Sequence, residues 1–205
     1  MSFKDTYTDG VRHAVVPIAG RIVSRSRITP NALTVAGLLL NVATVPFIVG
    51  GHFVLAGIVL LLAGGCDMLD GAVARLSAQV TPFGAFLDST SDRLSEGVVL
   101  LAIGVRFARH GGIWDLVGVF IALTMSFLVS YTRARAEALG LECKVGFASR
   151  PERIVMLAIG LFASRYHVML PGMVWAIAVL TTFTVVQRIL HVRKQLVGEG
   201  PGATA

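Results

Sequence analysis

Residues 67–92 decide how this chain is built, and they read DMLDGAVARLSAQVTPFGAFLDSTSD. Four aspartates in this stretch, Asp67, Asp70, Asp88 and Asp92, stand in or beside long runs of apolar sequence. An ionised carboxylate near the centre of a bilayer costs roughly 2.5–3.5 kcal/mol on insertion scales. A chain that keeps four such groups needs a partner for their charge, and a divalent cation is the simplest one. These acids are therefore the first candidates for a functional site.

The composition indicates a polytopic helical membrane protein. Hydrophobic residues make up 55% of the 205 residues, charged residues make up only 15%, and the mean hydropathy is +0.75. A soluble domain has about 25% charged residues. Several apolar segments reach the ~20 residues that a helix needs to cross a hydrocarbon core about 30 Å thick. The length fits one compact helical bundle.

The sequence predicts an all-α membrane protein with six transmembrane helices, preceded by an N-terminal amphipathic helix on the membrane surface. We expect an amphipathic juxtamembrane segment at residues 1–27, for which a disordered leader is the alternative. A six-helix domain then covers 28–195, and a Gly-rich disordered tail covers 196–205. The six predicted spans cover residues 31–49, 53–76, 82–107, 113–135, 151–162 and 171–192.

The basic residues are distributed unequally between the two predicted sides of the membrane. Six spans place both termini on one side, and fifteen of the 18 Lys and Arg residues fall there, while Arg106, Arg109 and Arg165 fall opposite. The positive-inside rule then predicts a cell-membrane protein whose termini and aspartate region face the cytoplasm. The net charge of +6 favours anionic headgroups and anionic soluble substrates, and not nucleic acid.

The spacing of the four aspartates predicts a metal site. Asp67 and Asp70 share one face of the second predicted helix, and Asp88 and Asp92 share one face of the third, because residues three and four apart are neighbours on a helix. A short turn between the two helices would bring these faces together. An all-oxygen ligand set suits Mg²⁺ or Mn²⁺ rather than zinc or copper, with room for two ions. We expect Cys66 to be a small buried thiol and not a ligand.

Small residues follow the first aspartate pair. Gly71 and Ala74 leave space beside the carboxylates, and Arg75 stands at the predicted cytoplasmic rim, where it could meet a phosphate or a nucleobase. The complete pattern is D-x-x-D-G-x-x-A-R-x₈-G-x-x-x-D-x-x-x-D. It resembles the signature of the CDP-alcohol phosphotransferase family, and every fixed position of that signature is matched.

The resemblance implies an integral membrane enzyme of six helices, usually a homodimer, in which an alcohol attacks the β-phosphorus of a CDP-linked lipid and CMP is released. It implies that Asp67, Asp70 and Asp88 bind the divalent ions, with Asp92 contributing. Asp92 would also be the catalytic base that deprotonates the attacking hydroxyl. The residues implied to contact the CDP moiety are Gly71, Ala74 and Arg75.

A second informative stretch, residues 131–153, reads YTRARAEALGLECKVGFASRPER. Several arginines here suit an acceptor that carries its own phosphate, because the guanidinium fork matches phosphate oxygens bidentately. Serine or choline would not need them. For Arg133 and Arg135 the alternative is a charge that only sets topology, and either Arg150 or Arg153 could simply pair with Glu152.

This stretch, together with Gln187-Arg188, looks like the phosphatidylinositol phosphate synthase branch of the family. The branch resemblance implies CDP-diacylglycerol as the donor and inositol 1-phosphate as the acceptor. It implies that the acceptor phosphate is held by Arg133, Arg150, Arg153 and Arg188. It also implies that the donor is bound in part by the segment 29–34, above all Asn31, Ala32, Leu33 and Thr34, and by Thr81.

Three alternatives stay open on the sequence alone. Glycerol 3-phosphate also carries a phosphate and would make the protein a phosphatidylglycerol phosphate synthase. An archaetidyl lipid could replace the diacyl donor, because the acyl-binding surface has no readable code. A divalent-cation transporter also places acids within the membrane, but it would need them near the midplane, often on broken helices.

Overall fold

The computed structural model describes residues 29–198, together with Pro17 and Gly20. The secondary structure of residues 29–198 is entirely helical, which confirms the predicted all-α class and the count of six helices. The predicted N-terminal surface helix lies outside the described residues, apart from those two positions. The helices are α1 Pro30–Val49, α2 Phe53–Leu76, α3 Pro82–His110, α4 Ile113–Ala138, α5 Arg150–Phe162 and α6 Met169–Gly198.

The predicted boundary between the helical domain and the tail, at residues 195 and 196, is wrong, because α6 continues to Gly198. The first three residues of the predicted tail, 196–198, are therefore helical. The reason is that the sequence from His191 to Val197 contains no Gly or Pro to end the helix, and most of its residues have good helix propensity. The rest of the predicted tail, 199–205, lies outside the described residues.

Four of the six helices are long and apolar enough to cross a membrane: α1, α2, α4 and α6 over Met169–Val197. The other two differ from them in length or composition. α5 has 13 residues, which corresponds to about 20 Å of helix and is shorter than a hydrocarbon core. α3 has 29 residues but carries Asp88, Asp92, Arg93 and Glu96. That α3 and α5 also cross the membrane stays a prediction.

The chain divides into two compact units. Of the described residues, the first unit holds 29–46 and 58–99, and the second holds 47–57 and 100–198. All four predicted carboxylates and all the predicted CDP-binding residues belong to the first unit. The predicted acceptor arginines belong to the second.

Two Thr-Pro pairs start helices in the first unit. Thr29 precedes Pro30 at the start of α1, and its Oγ1 accepts a hydrogen bond of 3.3 Å from the backbone N–H of Ala32. Thr81 precedes Pro82 at the start of α3, and its Oγ1 accepts one of 3.0 Å from the N–H of Gly84. Threonine at the N-cap and proline in the first turn are the residues that favour these starts.

Helix packing in the second unit depends on close approach at glycines. Gly118 of α4 lies under the ring of Trp175 of α6, whose Nε1 would be 3.0 Å from a Cβ at that position. Gly160 of α5 approaches Leu170 and Met173 of α6 in the same way. α6 therefore packs against both α4 and α5 within this unit.

Candidate active site

The first unit contains a cavity of about 320 Å³ into which the two Thr-Pro helix starts project. It lies among the first turn of α1, the last two turns of α2, the following loop and the first two turns of α3. Its lining residues are Pro30, Asn31, Thr34, Asp70, Gly71, Ala74, Arg75, Gln79, Val80, Thr81, Gly84, Ala85 and Asp88.

Six of the eight predicted CDP-lipid contacts line this cavity: Asn31, Thr34, Gly71, Ala74, Arg75 and Thr81. The other two do not. Ala32 is exposed, and Leu33 packs against Ala72 and Val73, because these positions lie on other faces of α1 than Asn31 and Thr34 do.

Gly84 keeps the wall of the cavity open. A Cβ at Gly84 would lie 3.0 Å from Thr81 Oγ1 and 3.2 Å from Asn31 Oδ1. Both of these polar atoms would be crowded by a side chain there. The glycine in the sequence pattern thus leaves two polar groups accessible to a ligand.

Asp70 is the most deeply placed of the aspartates, with 4% of its surface exposed. Thr34 donates a hydrogen bond of 2.6 Å from its hydroxyl to Asp70 Oδ2. The sequence had suggested Thr34 only as a ligand contact. In the structure it also fixes the orientation of a carboxylate on the neighbouring helix.

Asp67 lies against the backbone of α1. Its Oδ1 would be only 2.5 Å from a Cβ at Gly37, and the Cβ of Cys66 would be 3.4 Å from the same point. Gly37 therefore lets α1 approach the aspartate closely. Nothing in the sequence analysis pointed to Gly37, because its role depends on how α1 meets α2. Cys66 is a free thiol that is half-buried, and so less enclosed than the predicted buried thiol.

The carboxylates form a loose cluster. Asp67 and Asp88 both lie within electrostatic range of Asp70, and Asp92 is half-buried one helical turn after Asp88. Within the described part of the chain, no three His, Cys, Asp or Glu side chains converge tightly enough to form a finished metal-binding group.

The donor chemistry nevertheless fits a hard divalent cation. The donors are all oxygens, they carry like charges that repel one another, and two of them, Asp70 and Asp88, face a cavity. Mg²⁺ and Mn²⁺ are the ions that such ligands favour, and Mg²⁺ in particular keeps several of its waters.

Three of the predicted acceptor arginines converge in the second unit. Arg188 is buried, and it donates from Nε to the carbonyl oxygen of Val145 at 3.0 Å and from a terminal nitrogen to that of Val129. Arg153 is 1% exposed and donates to the carbonyl oxygen of Ala148 at 2.6 Å. Arg133 and Arg153 both lie within electrostatic range of Arg188.

Arg133 and Arg150 are less enclosed than the other two. Arg133 is exposed and pairs with Glu137 at 2.8 Å, one turn later on α4. A half-exposed i,i+4 pair of this kind contributes only about 0.3–0.5 kcal/mol, so an anionic ligand can replace the glutamate. Arg150 is half-buried in the first turn of α5. Glu152, the proposed alternative partner of the arginines, accepts a hydrogen bond from the Ser149 hydroxyl.

Three further residues line the cavity without having been predicted: Gln79, Val80 and Ala85. The signal that could have found them is the pair of Thr-Pro helix starts. These starts fix where α1 and α3 begin, and therefore which neighbouring residues face the same space.

Comparison with known proteins agrees with this geometry. The family model for CDP-alcohol phosphatidyltransferases matches residues 27–187. The chain is 37% identical over 188 residues to the archaetidylinositol phosphate synthase of Methanothermobacter thermautotrophicus, covering 91% of this chain and 92% of the relative. It is also 37% identical to the phosphatidylinositol phosphate synthase of Mycobacteroides abscessus, covering 86% and 82%.

Solved structures give the same result. The crystal structure of Mycobacterium tuberculosis phosphatidylinositol phosphate synthase with CDP-DAG bound has a TM-score of 0.79 at 33% identity, covering 93% of this chain and 96% of that one. A second crystal structure of that enzyme, in complex with manganese and citrate, has a TM-score of 0.78 at 34% identity, covering 93% and 92%. The extent of these matches shows that the chain belongs to the CDP-alcohol phosphatidyltransferase family.

Proposed function

We propose that this protein transfers the phosphatidyl group of CDP-diacylglycerol to a hydroxyl of inositol 1-phosphate, giving phosphatidylinositol phosphate and CMP. The observation that carries the donor half is the cavity in which Asp70 and Asp88 lie beside Gly71, Ala74 and Arg75. Its small residues leave room for a nucleotide next to the acidic groups. The name of the crystallised relative, and the CDP-DAG bound to it, support the same donor.

The acceptor half of the proposal rests on the arginines of the second unit. A phosphate-bearing acceptor needs several cationic donors, and Arg133 and Arg153 both lie within electrostatic range of Arg188. Arg150 opens α5 three residues before Arg153 and is assigned to the same phosphate. Relatives that are 34–39% identical are named as inositol phosphate lipid synthases.

The chemistry divides the four carboxylates between metal binding and proton transfer. Asp67, Asp70 and Asp88 would hold one or two Mg²⁺ or Mn²⁺ ions, with Asp92 contributing, and a bound ion would stabilise negative charge on the departing CMP. Asp92 accepts the proton of the attacking hydroxyl. The hydroxyl oxygen forms a bond to the β-phosphorus as the bond from that phosphorus to the CMP oxygen breaks. The manganese complex of a relative supports this choice of ion.

The membrane arrangement is part of the proposal. All six helices would cross or enter the bilayer, with both termini and the active cavity on the cytoplasmic side, where the basic residues are concentrated. CDP-diacylglycerol would reach the cavity from the inner leaflet, and the soluble acceptor would arrive from the cytoplasm. A homodimer is expected from the family resemblance.

A panel of acceptors tests the proposed reaction. We expect purified protein with CDP-diacylglycerol and Mn²⁺ to release CMP with inositol 1-phosphate and to release little with free inositol or serine, which offer the arginines no phosphate. The measurement is CMP release by chromatography, with the lipid product identified by mass. A preference for glycerol 3-phosphate would assign the protein to phosphatidylglycerol phosphate synthesis, and a preference for free inositol or serine would contradict the role of the arginines.

Gly37→Ala tests how Asp67 is positioned. The new methyl group would overlap Asp67 Oδ1, so the carboxylate must move away from α1. Displacing a metal ligand or its support costs about 10–100-fold in metal affinity or activity. We expect the Mn²⁺ concentration for half-maximal CMP release to rise about tenfold.

Gly65→Ala on α2 is the matched control, since a Cβ at Gly65 would meet no atom within 4 Å. It adds the same methyl group to a neighbouring helix two residues before Asp67 and should leave the Mn²⁺ dependence as in the wild type. Equal Mn²⁺ requirements in the two variants would show that the approach of Asp67 to α1 does not matter for metal binding.

A further inference from the structure

The packed pair α4 and α6 leaves two clefts open on one face. The upper cleft, about 440 Å³, is lined by residues near the C-terminal ends of both helices. The lower cleft, about 420 Å³, is lined by residues nearer to their N-terminal ends. We call the two clefts together the α4–α6 seam.

The two clefts lie along the same stripe of each helix. On α6, Val179, Val186 and Phe183 line the lower cleft, and Ile189 and Arg193 line the upper one. Positions 179, 186, 189 and 193 are seven, three and four residues apart. Residues at these separations lie on the same face of a helix. The two clefts therefore follow one another along one face of α6, with arginines in the lining of the upper cleft only.

Two exposed arginines stand at matching depth near one end of the seam. Arg135 is 22 residues after the start of α4, or about 33 Å, and Arg193 is 24 residues after the start of α6, or about 36 Å. Both α4 and α6 are long and apolar enough to cross a membrane, whose hydrocarbon core is about 30 Å thick. Where each helix crosses the bilayer from its first residues, as the sequence predicts, the two arginines would lie at the level of the lipid headgroups.

The lower cleft lies at the depth of acyl chains below these arginines. Phe183 is ten residues before Arg193, which is about 15 Å of helix and half the thickness of the hydrocarbon core. Its side chain is exposed, as is that of Val179. A molecule with a charged end and apolar chains would meet matching surfaces along the whole seam.

The charge at the upper cleft is positive and uncompensated. Arg135, Arg188 and Arg193 line it, and no acidic residue does so among its described lining. The guanidinium of Arg188 is engaged inward with the carbonyl oxygens of Val145 and Val129. Arg135 and Arg193 form no ion pair within residues 29–198, so they remain available to an external anion.

We propose that the α4–α6 seam is a binding site for an anionic phospholipid of the bilayer, with its phosphate between Arg135 and Arg193 and its acyl chains in the two apolar clefts. Basic pockets between transmembrane helices are a known way to select anionic headgroups. This site uses none of the proposed catalytic carboxylates, and it shares only Arg188 with the proposed acceptor site, since the lipid phosphate is assigned to Arg135 and Arg193. It gives the protein a preference for the charged lipids of the membrane in which it works.

Native mass spectrometry of the full-length protein tests the proposal. The protein is released from vesicles of phosphatidylcholine and phosphatidylglycerol in a 4:1 ratio, and the retained lipids are identified by mass. We expect the wild type to retain phosphatidylglycerol well above its share in the vesicle. Each basic residue at a membrane surface strengthens binding of an anionic lipid several-fold, so the double variant Arg135→Gln/Arg193→Gln should lower the retained ratio about tenfold or more.

Arg165→Gln is the matched control, because Arg165 is also exposed but lies in the connection between α5 and α6, away from the seam residues. It should keep the wild-type ratio, and circular dichroism should show that all variants keep their helix content. An unchanged ratio in the folded double variant overturns the proposal. If the double variant dissociates into monomers while its retained lipids stay the same, a second copy of the chain occupies the seam. That result overturns the proposal as well.

Discussion

Asp92→Asn is expected to abolish release of CMP while leaving the protein folded and able to bind CDP-diacylglycerol. An amide cannot take the proton of the attacking hydroxyl, and loss of a positioned base typically lowers a rate by 10²–10⁴-fold. Asp92 is half-buried on α3, one turn after Asp88, so the isosteric change disturbs little packing. CMP release with inositol 1-phosphate and Mn²⁺ measures the effect, and a thermal-shift titration with CDP-diacylglycerol measures retained binding.

Asp92→Glu is the companion variant, because it keeps a carboxylate but moves it by one methylene group. It should recover part of the activity that the asparagine variant loses. Turnover near the wild-type level in Asp92→Asn would refute the assignment of this residue as the base. Loss of CDP-lipid binding in the same variant would instead assign Asp92 mainly to the metal ions.

Arg188→Gln is expected to raise the KM for inositol 1-phosphate by about 10–100-fold, with the KM for CDP-diacylglycerol unchanged. A charged hydrogen bond to a ligand is worth roughly 1.5–3 kcal/mol, which corresponds to that range. The variant should also be less stable, because the carbonyl groups of Val129 and Val145 lose a common donor. Each buried group left unsatisfied costs about 1–3 kcal/mol. Steady-state kinetics and thermal unfolding measure the two effects separately.

One further variant separates charge from geometry at this position, and another serves as a control on the same helix. Arg188→Lys keeps the positive charge but loses the planar fork that reaches two carbonyl groups, so it should recover acceptor binding more than stability. Arg193→Gln removes an exposed arginine five residues later on α6 and should leave the acceptor KM as in the wild type. A normal acceptor KM in folded Arg188→Gln would show that this arginine only supports the fold.

Much of the helical framework could be predicted because its boundaries have local causes. The prediction for α2 was residues 53–76, and the helix is Phe53–Leu76. The apolar run and the turn after Leu76 determine this helix without reference to its neighbours. α6 continues past the predicted start of the tail at residue 196, because the Gly-rich composition that suggested disorder begins only at Gly198, and nothing from His191 to Val197 ends a helix.

For the carboxylate region, the sequence could predict which side chains share a helix face, but not which atoms they contact on the neighbouring helix. Spacing placed Asp67 and Asp70 on one side of α2, but it could not show that Thr34 donates to Asp70 or that Gly37 admits Asp67. Both contacts depend on how α1 crosses α2, which is a property of three-dimensional packing. The pair of Arg133 and Glu137, in contrast, follows from i,i+4 spacing and could have been anticipated.

The two Thr-Pro pairs at the starts of α1 and α3 also determine the electrostatic character of the cavity between them. Pro30 and Asn31 of α1 and Thr81 and Gly84 of α3 line the same space, so the positive ends of two helix macrodipoles are directed toward it. This positive potential comes from peptide groups and persists at every pH at which the helices are folded. It would offset part of the repulsion between the carboxylates and the pyrophosphate of the proposed donor, in a cavity whose described lining holds one basic side chain, that of Arg75.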